Sequence, residues 1–565
     1  MRSDSHCSEH CQVKNEALSC LAPVLLQEKA NESLRTKIFS LLPLLFVPPL
    51  SGLFLVLAFP MYDVGWLAWL GLAPLLVILN GKSPKHGFML LFASSIVFYP
   101  GILSWLLKVP GYTLLHHVIL AIYIGLYFGF FGLIFCFVAK RSGVTAAFLS
   151  TPFLWVSLEY IRSNMSFLAT PWGMLAHSQY TYPWVIQVAS ITGSYGVSFL
   201  IVLANTALAA IIYPATLQLQ KNKNALNSPP SRLGKILLVT VAAALIVTTL
   251  IYGHIIISQP VDVQRIKVSV VQGNIEQAKK WDRRYAKFIM KRYADLSLEA
   301  SKDAPSLIIW PETTTPWSIM QDPRLHGEVK GIARTAGTYL LLGSSQRQKF
   351  RSQGSKKGTY YNSAFLIDPG KEMHTYQKYD KIRLFPFGEY LPMKETIPWS
   401  FINIPDVSGY EPGEEYTVFE LPNFRFGVTI CWENVFPDLV RQFVKRGAQF
   451  IVNITNEAWF GRTAAPYQFV SMSVFRAVEN RVSVVRATNT GVSCFINPYG
   501  RITGRVEKNG KDIFIPGYLT QEIPLSQGKT FYTLHGDIFV YICLILTAVV
   551  ILSSALNPRE KAIRR

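Results

Sequence analysis

The stretch Gly427–Asn434, with the sequence GVTICWEN, places a cysteine directly after a short apolar, β-branched run. This pattern predicts a buried strand at 426–430 that meets a helix at Cys431. Open α/β sheets collect functional side chains at the carboxyl ends of their strands. A thiol at such a place can be acidified by the helix N-terminus and by a neighbouring ammonium, which makes it a nucleophile. We therefore expect Cys431 to be a free thiol with a low pKa. The alternative is a small buried hydrophobe, the commoner role of a single cysteine in a strand.

Two other segments bring charged groups to the ends of predicted strands. Leu307–Glu312 (LIIWPE) ends an apolar run in a carboxylate, and Tyr379–Glu389 (YDKIRLFPFGE) places Lys381 and Glu389 around a kinked apolar segment. A glutamate can take and return the proton of a thiol, and a lysine can stabilise the oxyanion of a tetrahedral intermediate. Taken singly, Glu312 could equally cap a helix and Lys381 could be a solvated charge.

Residues 265–525 alternate short β-branched runs with polar helical stretches, which predicts an α/β or α+β layered domain. The predicted strands are Ile266–Val271, Ser306–Trp310, Tyr339–Gly343, Phe426–Ile430, Phe450–Ile454, Val482–Arg486 and Val492–Ile496, and the predicted helices are Trp281–Ser301, Arg324–Ala336, 435–446 and 466–480. The last of these strands is expected to bury Cys494 as an inert thiol.

The rest of the chain is strongly apolar. Of the 565 residues, 50% are hydrophobic and only 16% are charged, and the mean hydropathy is +0.25. Soluble domains carry about 25% charged residues, so this composition excludes a wholly cytosolic protein, and it also excludes a disordered one. The length predicts two or more domains, and seven cysteines are too few for a disulfide scaffold.

Eight apolar runs are compatible with membrane spans, of which those at 65–80 and 145–161 are the weakest. They predict a membrane domain of seven helices at 38–257, a soluble domain at 258–530 and a final transmembrane helix at 536–556. The eight runs are 38–59, 65–80, 87–107, 116–139, 145–161, 190–213, 235–257 and 536–556.

The net charge of +20 is distributed unevenly between the loops. Alternate gaps and the basic tail at 557–565 hold twelve Lys and Arg, whereas the opposite short loops hold only Lys108 and Arg162. This asymmetry predicts a cytoplasmic N-terminus and tail, and a soluble domain at 258–530 in the periplasm of a Gram-negative bacterium. Because that domain has no basic run interleaved with aromatic residues, nucleic-acid binding is excluded.

Residues 1–37 are expected to form a mobile N-terminal extension. Its His6, Cys7, His10 and Cys11 lie too close together in sequence to close around zinc, so no metal site is predicted. No phosphate-binding loop or metal-spaced cluster occurs in the sequence of the soluble domain either, and no cofactor is expected.

Glu159 and Arg162 lie near the end of the fifth apolar run. An intramembrane carboxylate suggests function by default, but a salt-bridged pair reaching the membrane interface is the interpretation we favour. The following loop, Ser163–Trp184, is aromatic and almost uncharged, which predicts an interfacial loop that dips into lipid headgroups.

The order Glu, Lys, Cys along the chain resembles the triad of the nitrilase, or carbon–nitrogen hydrolase, superfamily. Further motifs resemble the apolipoprotein N-acyltransferase family, as does the plan of seven spans, a nitrilase-like domain and a final span. The resemblance extends from about residue 40 to residue 556. Its motifs are Val271–Ile275 (VQGNI) with Trp281, the Lys381–Glu389 segment, Asn453–Gly461 (NITNEAWFG) and Arg486–Ser493 (RATNTGVS).

The resemblance implies an α-β-β-α sandwich attached to a multi-pass helical membrane domain in the bacterial inner membrane. It implies that Cys431 attacks the sn-1 ester of a phospholipid, typically phosphatidylethanolamine, with Glu312 as base and Lys381 as oxyanion partner. Glu389 would be a second carboxylate that orients them. The acyl chain would then pass from the thioester to the N-terminal amine of diacylglyceryl-cysteine in an apolipoprotein.

The resemblance also implies that Trp281, Trp432 and Glu433 shape the pocket and its lipid-facing mouth. Two residues depart from the family pattern: Glu457 stands where Asp is common, and Phe469 stands where His is frequent. Neither belongs to the triad, so the departures concern substrate positioning rather than the chemistry.

Two other classes of protein fit part of the sequence. A membrane-tethered amidase or nitrilase could use the same triad on a small soluble amide, although the eight runs and the aromatic content near the membrane argue against it. A transporter or receptor could also have many spans and a large external domain. Its membrane part would be expected to carry more buried charges than this sequence offers.

Overall fold

The computed structural model describes residues 42–79, 81–219, 229–259, 263–347, 360–371, 376–402, 409–526 and 528–557. The predicted extension at 1–37, with its His and Cys residues, lies outside the described residues, and so does all but the first residue of the basic tail at 557–565.

Each of the eight apolar runs is helical over most of its described part. Among the described residues, five helices are long and apolar enough to cross a membrane: Leu114–Ser142, Val144–Ser163, Ser194–Tyr213, Arg232–Ser258 and Ile538–Leu556. The predicted count of about eight spans is therefore not confirmed. The helices Leu42–Leu57 and Gly65–Leu79 are short, and the helix Pro84–Ile102 carries Lys85 and His86 in its first turn. The helices are α1 (Leu42–Leu57), α2 (Gly65–Leu79, in three short pieces), α3 (Pro84–Ile102), α4 (Leu114–Ser142), α5 (Val144–Ser163), α6 (Ser194–Leu219), α7 (Arg232–Ser258) and, after the soluble domain, α12 (Ile538–Leu556).

The soluble domain contains two six-stranded sheets. The first has the order β12-β1-β2-β3-β4-β5 and the second the order β11-β10-β9-β8-β7-β6. Each has a parallel centre, formed by β1, β2 and β3 in one sheet and by β7, β8 and β9 in the other. The strands are β1 (Arg265–Gln272), β2 (Leu307–Ile309), β3 (Tyr339–Arg347), β4 (Tyr360–Ile367), β5 (Gln377–Asp380), β6 (Val418–Leu421), β7 (Phe424–Ile430), β8 (Phe450–Thr455), β9 (Ser483–Thr488), β10 (Cys494–Ile496), β11 (Ile502–Arg505) and β12 (Gly517–Pro524).

Both faces of each sheet are covered, which explains why the central strands are continuously apolar. In β2, Leu307 and Ile309 belong to the core between the sheets, whereas Ile308 packs with the helices outside. The outer helices are α8 (Ala286–Ser301) and α9 (Pro323–Ala336) on the first sheet, and α10 (Pro437–Lys445) and α11 (Ala465–Asn480) on the second. The α-β-β-α sandwich is thus confirmed.

All seven predicted strands and all four predicted helices of this domain are present, with shifted ends. The largest shift is at α8, which begins at Ala286 because residues 277–285 form two separate short turns. Trp281 therefore lies before the helix rather than in it. The antiparallel strands β4, β5, β6, β11 and β12 were not predicted, because their sequences mix polar and apolar residues as loops do.

Gln468 makes four hydrogen bonds that join the soluble domain to the membrane helices. The side-chain oxygen of Gln468, on α11, accepts hydrogen bonds from the indole N–H groups of Trp105 (3.0 Å) and Trp172 (2.7 Å). Its amide nitrogen donates to the backbone carbonyls of Pro60 (3.3 Å) and Ile102 (2.9 Å). Both donor and both acceptor positions of this buried amide are thus used in hydrogen bonds between the two domains.

Glu159 and Arg162 hold this connection from the membrane side. Arg162 donates to the carbonyls of Thr170 (2.6 Å) and Trp172 (2.5 Å), and Glu159 accepts from the backbone N–H of Leu175 (2.9 Å). Arg162 is only 1% exposed and Glu159 only 5%. The prediction of a salt-bridged pair that reaches the membrane interface is therefore wrong.

The loop after α5 also differs from its prediction. Its residues 171–180 are buried rather than dipped into lipid headgroups. They are buried because the aromatic side chains pack against the soluble domain, where the rings of Trp172 and Phe469 lie 4.9 Å apart.

We expect Gln468→Leu to lower the stability of the full-length protein. The substitution leaves two buried indole N–H groups and two carbonyls without their partner, and each unsatisfied buried group costs about 1–3 kcal/mol. The melting temperature in detergent should fall by several degrees, whereas Gln321→Leu, at an exposed glutamine of the same domain, should leave it unchanged. Equal melting temperatures for the two variants would contradict a role for Gln468 in joining the domains.

Candidate active site

Glu312 is carried to the site by the end of β2. Its segment continues alongside β3, through hydrogen bonds from Trp310 N to the carbonyl of Leu341 and from Gly343 N to the carbonyl of Pro311. A Cβ atom at Gly343 would lie 2.7 Å from the Cα of Glu312, so only glycine allows this close approach.

The Glu312 carboxylate is held between the two sheets. Its Oε1 accepts a hydrogen bond from the Asn362 side chain on β4 (2.8 Å), and its Oε2 accepts from the backbone N–H of Asn456, just after β8 (2.9 Å). Both contacts are buried. The carboxylate is thus fixed by one partner from each sheet.

Lys381 follows β5 and is almost fully buried. Its ammonium lies 2.8 Å from Glu389 and 3.8 Å from Glu312. Asn362 bridges the two carboxylates, because its amide also donates to Glu389 at 3.0 Å. Burial alone would lower the pKa of Lys381, but Glu389, Cys431 and Glu312 outweigh it and raise that pKa, so the lysine is charged.

Cys431 directly follows β7 and has a positive φ of 58°, which is rare for a residue with a side chain. The chain turns sharply there into a short 3₁₀ helix, Cys431–Val435. The carbonyl of Cys431 accepts a hydrogen bond from the side chain of Asn453 on the neighbouring strand β8 (3.1 Å), which in turn accepts from Arg486 (2.6 Å). A strained backbone that its surroundings hold in place is typical of a reactive residue.

The thiol of Cys431 is free, as predicted, and so is the thiol of Cys494. The predicted low pKa of Cys431 is wrong for this structure. Burial raises its pKa, the negative charge of Glu312 raises it further, and Lys381 only partly opposes them. The thiol therefore carries its proton and needs a base to remove it. Cys494 lies fully buried at the start of β10, where burial raises its pKa to about 11.

Glu433 is fully buried and does not line a mouth as we expected. Its Oε1 accepts hydrogen bonds from Tyr379 and from the backbone N–H groups of Ile382 and Arg383, while its Oε2 accepts from Ile430 N. It thereby ties the Lys381 segment to the strand that ends at Cys431. Burial raises the pKa of Glu433 to about 7.

The two predicted tryptophans lie in different environments. Trp432 is buried, with its indole N–H donating to the carbonyl of Arg383 (2.6 Å) and its ring against Phe385 and Phe436. Trp281 is half exposed, and its ring lies near the ammonium of Lys280. Of the expected pocket residues, Trp281 alone has the exposure that a mouth requires.

Sequence reasoning missed the polar residues that hold the triad. Asn362 and Lys280 lie in segments whose patterns carry no signal, whereas Asn453 and Asn456 lie inside the quoted NITNEAWFG motif and could have been singled out. Asn489, in the RATNTGVS motif, donates to Asn456 at 2.9 Å and so supports the backbone that holds Glu312.

The two departures from the family pattern both lie near Arg486. Glu457 is fully buried and accepts from Arg486 at 2.6 Å; burial raises its pKa to about 7. Its carboxylate fits only because residue 491 is glycine, since a Cβ there would lie 1.7 Å from Glu457 Oε2. Phe469 packs between Trp172 and Phe460, at the junction with the membrane helices. Glu457 and Phe469 thus contact other protein side chains in the interior.

The chain is similar to known proteins over both of its parts. Residues 51–207 match the apolipoprotein N-acyltransferase N-terminal domain, and residues 267–529 match carbon-nitrogen hydrolase. An apolipoprotein N-acyltransferase from Geobacter metallireducens is 36% identical over 91% of this chain and 95% of its own length. One from Chlorobaculum tepidum is 29% identical over 91% of this chain and 97% of its own length. A solved amidase of the nitrilase superfamily, from Nesterenkonia AN1, is 20% identical and covers 47% of this chain and 92% of the amidase, with a TM-score of 0.34.

The soluble domain is therefore that of a carbon–nitrogen hydrolase. The chain belongs to the apolipoprotein N-acyltransferase family, and it is an acyltransferase associated with a membrane. The interpretation as a transporter or receptor with an external domain is thereby wrong.

We expect native alkylation to label Cys431 well before Cys494, because Cys431 is partly accessible and Cys494 is fully buried. Only the thiolate reacts, so labelling of Cys431 should accelerate as the pH rises from 7 to 9 towards its raised pKa. Peptide mapping by mass spectrometry separates these sites from the N-terminal cysteines. Equal labelling of the two residues, or a rate at Cys431 that does not change with pH, would contradict the assignment.

Proposed function

We propose that this protein transfers an acyl chain from the sn-1 position of a phospholipid to the N-terminal amine of diacylglyceryl-cysteine in apolipoproteins. The transfer proceeds through a thioester on Cys431. The observation that carries the proposal is the buried cluster of Glu312, Lys381 and Cys431 in a domain fastened to membrane helices. The names of the relatives support the identity of the acceptor.

Acylation begins with the protonated thiol. Glu312 takes the proton of Cys431 as the sulfur attacks the ester carbonyl, and the resulting oxyanion is stabilised by the ammonium of Lys381. The tetrahedral intermediate then breaks its bond to the glycerol oxygen. Glu312 returns its proton to that oxygen, which leaves a lysophospholipid and a thioester.

The second half-reaction uses the same groups. The neutral amine of the acceptor attacks the thioester, and Glu312 accepts a proton from the nitrogen. Collapse of the intermediate expels the Cys431 thiolate, which regains that proton from Glu312. Glu389 keeps Lys381 in place throughout, through its contact of 2.8 Å.

The connection to the membrane supports lipid substrates rather than a small soluble amide. Gln468 binds Trp105 and Trp172 on the membrane side. The same helix, α11, carries Ser473, whose hydroxyl oxygen accepts hydrogen bonds from Arg486 and Asn434. Arg486 holds Asn453, which binds the carbonyl of Cys431. The nucleophile is thus held at a fixed position relative to the membrane helices, which a soluble substrate would not require.

Substitutions in the triad should separate the roles of its members. With phosphatidylethanolamine vesicles and the full-length protein, mass spectrometry should detect an acyl adduct on Cys431, and Cys431→Ala should have none. Glu312→Gln keeps the shape but cannot accept the proton, so acylation should slow by about 10²- to 10⁴-fold. Lys381→Met should slow both half-reactions by about a hundredfold or more, because the oxyanion loses its charged partner.

Lys378→Met is the matched control for Lys381, because Lys378 is an exposed lysine three residues earlier on β5. It should acylate at the parent rate. Normal thioester formation in Lys381→Met would contradict the proposed role of that lysine, and an adduct that persists in Cys431→Ala would contradict the nucleophile. Turnover of a small amide with no adduct from phospholipid would favour the membrane-tethered amidase.

We further propose that the catalytic domain faces the periplasm from the bacterial inner membrane, which the charge asymmetry of the loops supports. A reporter that is active only in the cytoplasm should be silent when inserted near residue 350. The same reporter fused after Arg565 should be active and serves as the control. Activity near residue 350 would contradict the topology without affecting the proposed chemistry.

A further inference from the structure

A second buried lysine lies at the triad. Lys280 ends a short helical turn, Gln277–Lys280, and its side chain is only 4% exposed. Its ammonium donates to the backbone carbonyl of Glu312 at 3.0 Å. Among the described residues, no carboxylate lies within ion-pair distance of it, so this charge has no dedicated partner of its own.

An unpaired buried ammonium is costly, because burial removes it from water. Burial accordingly lowers the pKa of Lys280 to about 8, while the charges of Glu312 and Cys431 act in the opposite direction. The ammonium is therefore close enough to interact with both the base and the nucleophile. An exposed lysine would avoid this cost. The buried position of Lys280 therefore needs a physical reason.

The charge balance of the site supplies that reason. Glu312 and Glu389 carry two negative charges against the single positive charge of Lys381, and both carboxylates lie within 4 Å of it. When Glu312 has taken the thiol proton and an oxyanion has formed, the negative charges of Glu389 and the oxyanion again exceed the single positive charge of Lys381. A second positive charge offsets this excess of negative charge at the stage where it is most costly.

Building on the proposed function, we propose that Lys280 is a charged positioning residue of the acyl-transfer centre. It holds the Glu312 segment by its backbone carbonyl, and it supplies the second positive charge beside Cys431 in both half-reactions. Lys381 alone does not balance the charge of the oxyanion, because its ammonium is already paired with Glu389.

The test measures single-turnover acylation of Cys431 by phosphatidylethanolamine vesicles in the full-length protein, from pH 6.5 to 9.5. Lys280→Met should acylate about tenfold or more slowly than the parent near pH 7, a factor that corresponds to one pKa unit of electrostatic support. The parent should lose rate above about pH 8, as Lys280 becomes neutral, and should approach the rate of Lys280→Met there. Lys280→Arg, which stays charged, should retain most of the rate and show no such decline.

Lys279→Met is the matched control, because the neighbouring Lys279 pairs with Glu276 at 2.8 Å and has no contact with Glu312. It should behave as the parent does. A rate for Lys280→Met equal to that of the parent would overturn the inference. A ratio between parent and Lys280→Met that stays constant over the whole pH range would also overturn it, since a purely structural lysine would act in that way.

A p-nitrophenyl acyl ester, which has no phosphate, provides the remaining distinction. The reduction in acylation rate caused by Lys280→Met should be equally large with this donor. A loss seen only with phospholipid would assign Lys280 to the headgroup and overturn the inference. If the parent itself forms no adduct on Cys431 with either donor, the proposed function fails; an active parent with an unaffected Lys280→Met variant refutes the inference alone. Melting temperatures of all variants establish that each is folded.

Discussion

Two buried carboxylates, Glu312 and Glu389, share one ammonium, that of Lys381, and the amide of Asn362 bridges them. Such a cluster is stable in an apolar interior only if every member has its partners. This requirement explains why the partners come from both sheets: Asn362 lies on β4, and the backbone N–H of Asn456 follows β8. The α-β-β-α sandwich is therefore the framework that brings the ends of β2, β5, β7 and β8 together.

Burial also determines the protonation state of Cys431. Because Cys431 is buried beside the negative charge of Glu312, the pKa of its thiol is raised and the thiol keeps its proton. In the proposed mechanism, proton transfer to Glu312 is therefore part of the attack itself. Glu433, through four hydrogen bonds, holds the Lys381 segment against the strand that delivers Cys431, so the cation and the sulfur cannot move apart.

The membrane part is joined to this framework by polar contacts in an otherwise apolar interface. Arg162 and Glu159 hold the loop that carries Trp172, Trp172 binds Gln468, and Gln468 lies on α11 against the second sheet. Each contact uses a group that would be costly to bury alone. The catalytic domain is thus held in one orientation over the helices, as the proposed transfer between two lipid-anchored substrates requires.

The sequence by itself predicted the division into membrane and soluble parts, the central strands and the candidate triad, because apolar periodicity and strand ends are local signals. It also indicated the family through motifs that lie in order along the chain. Only the tertiary structure decided which way the Cys431 pKa is shifted, that Glu159 and Arg162 are buried, and that Asn362 and Lys280 belong to the site. Those properties depend on burial and on charges brought together from residues distant in the chain, and no local pattern carries them.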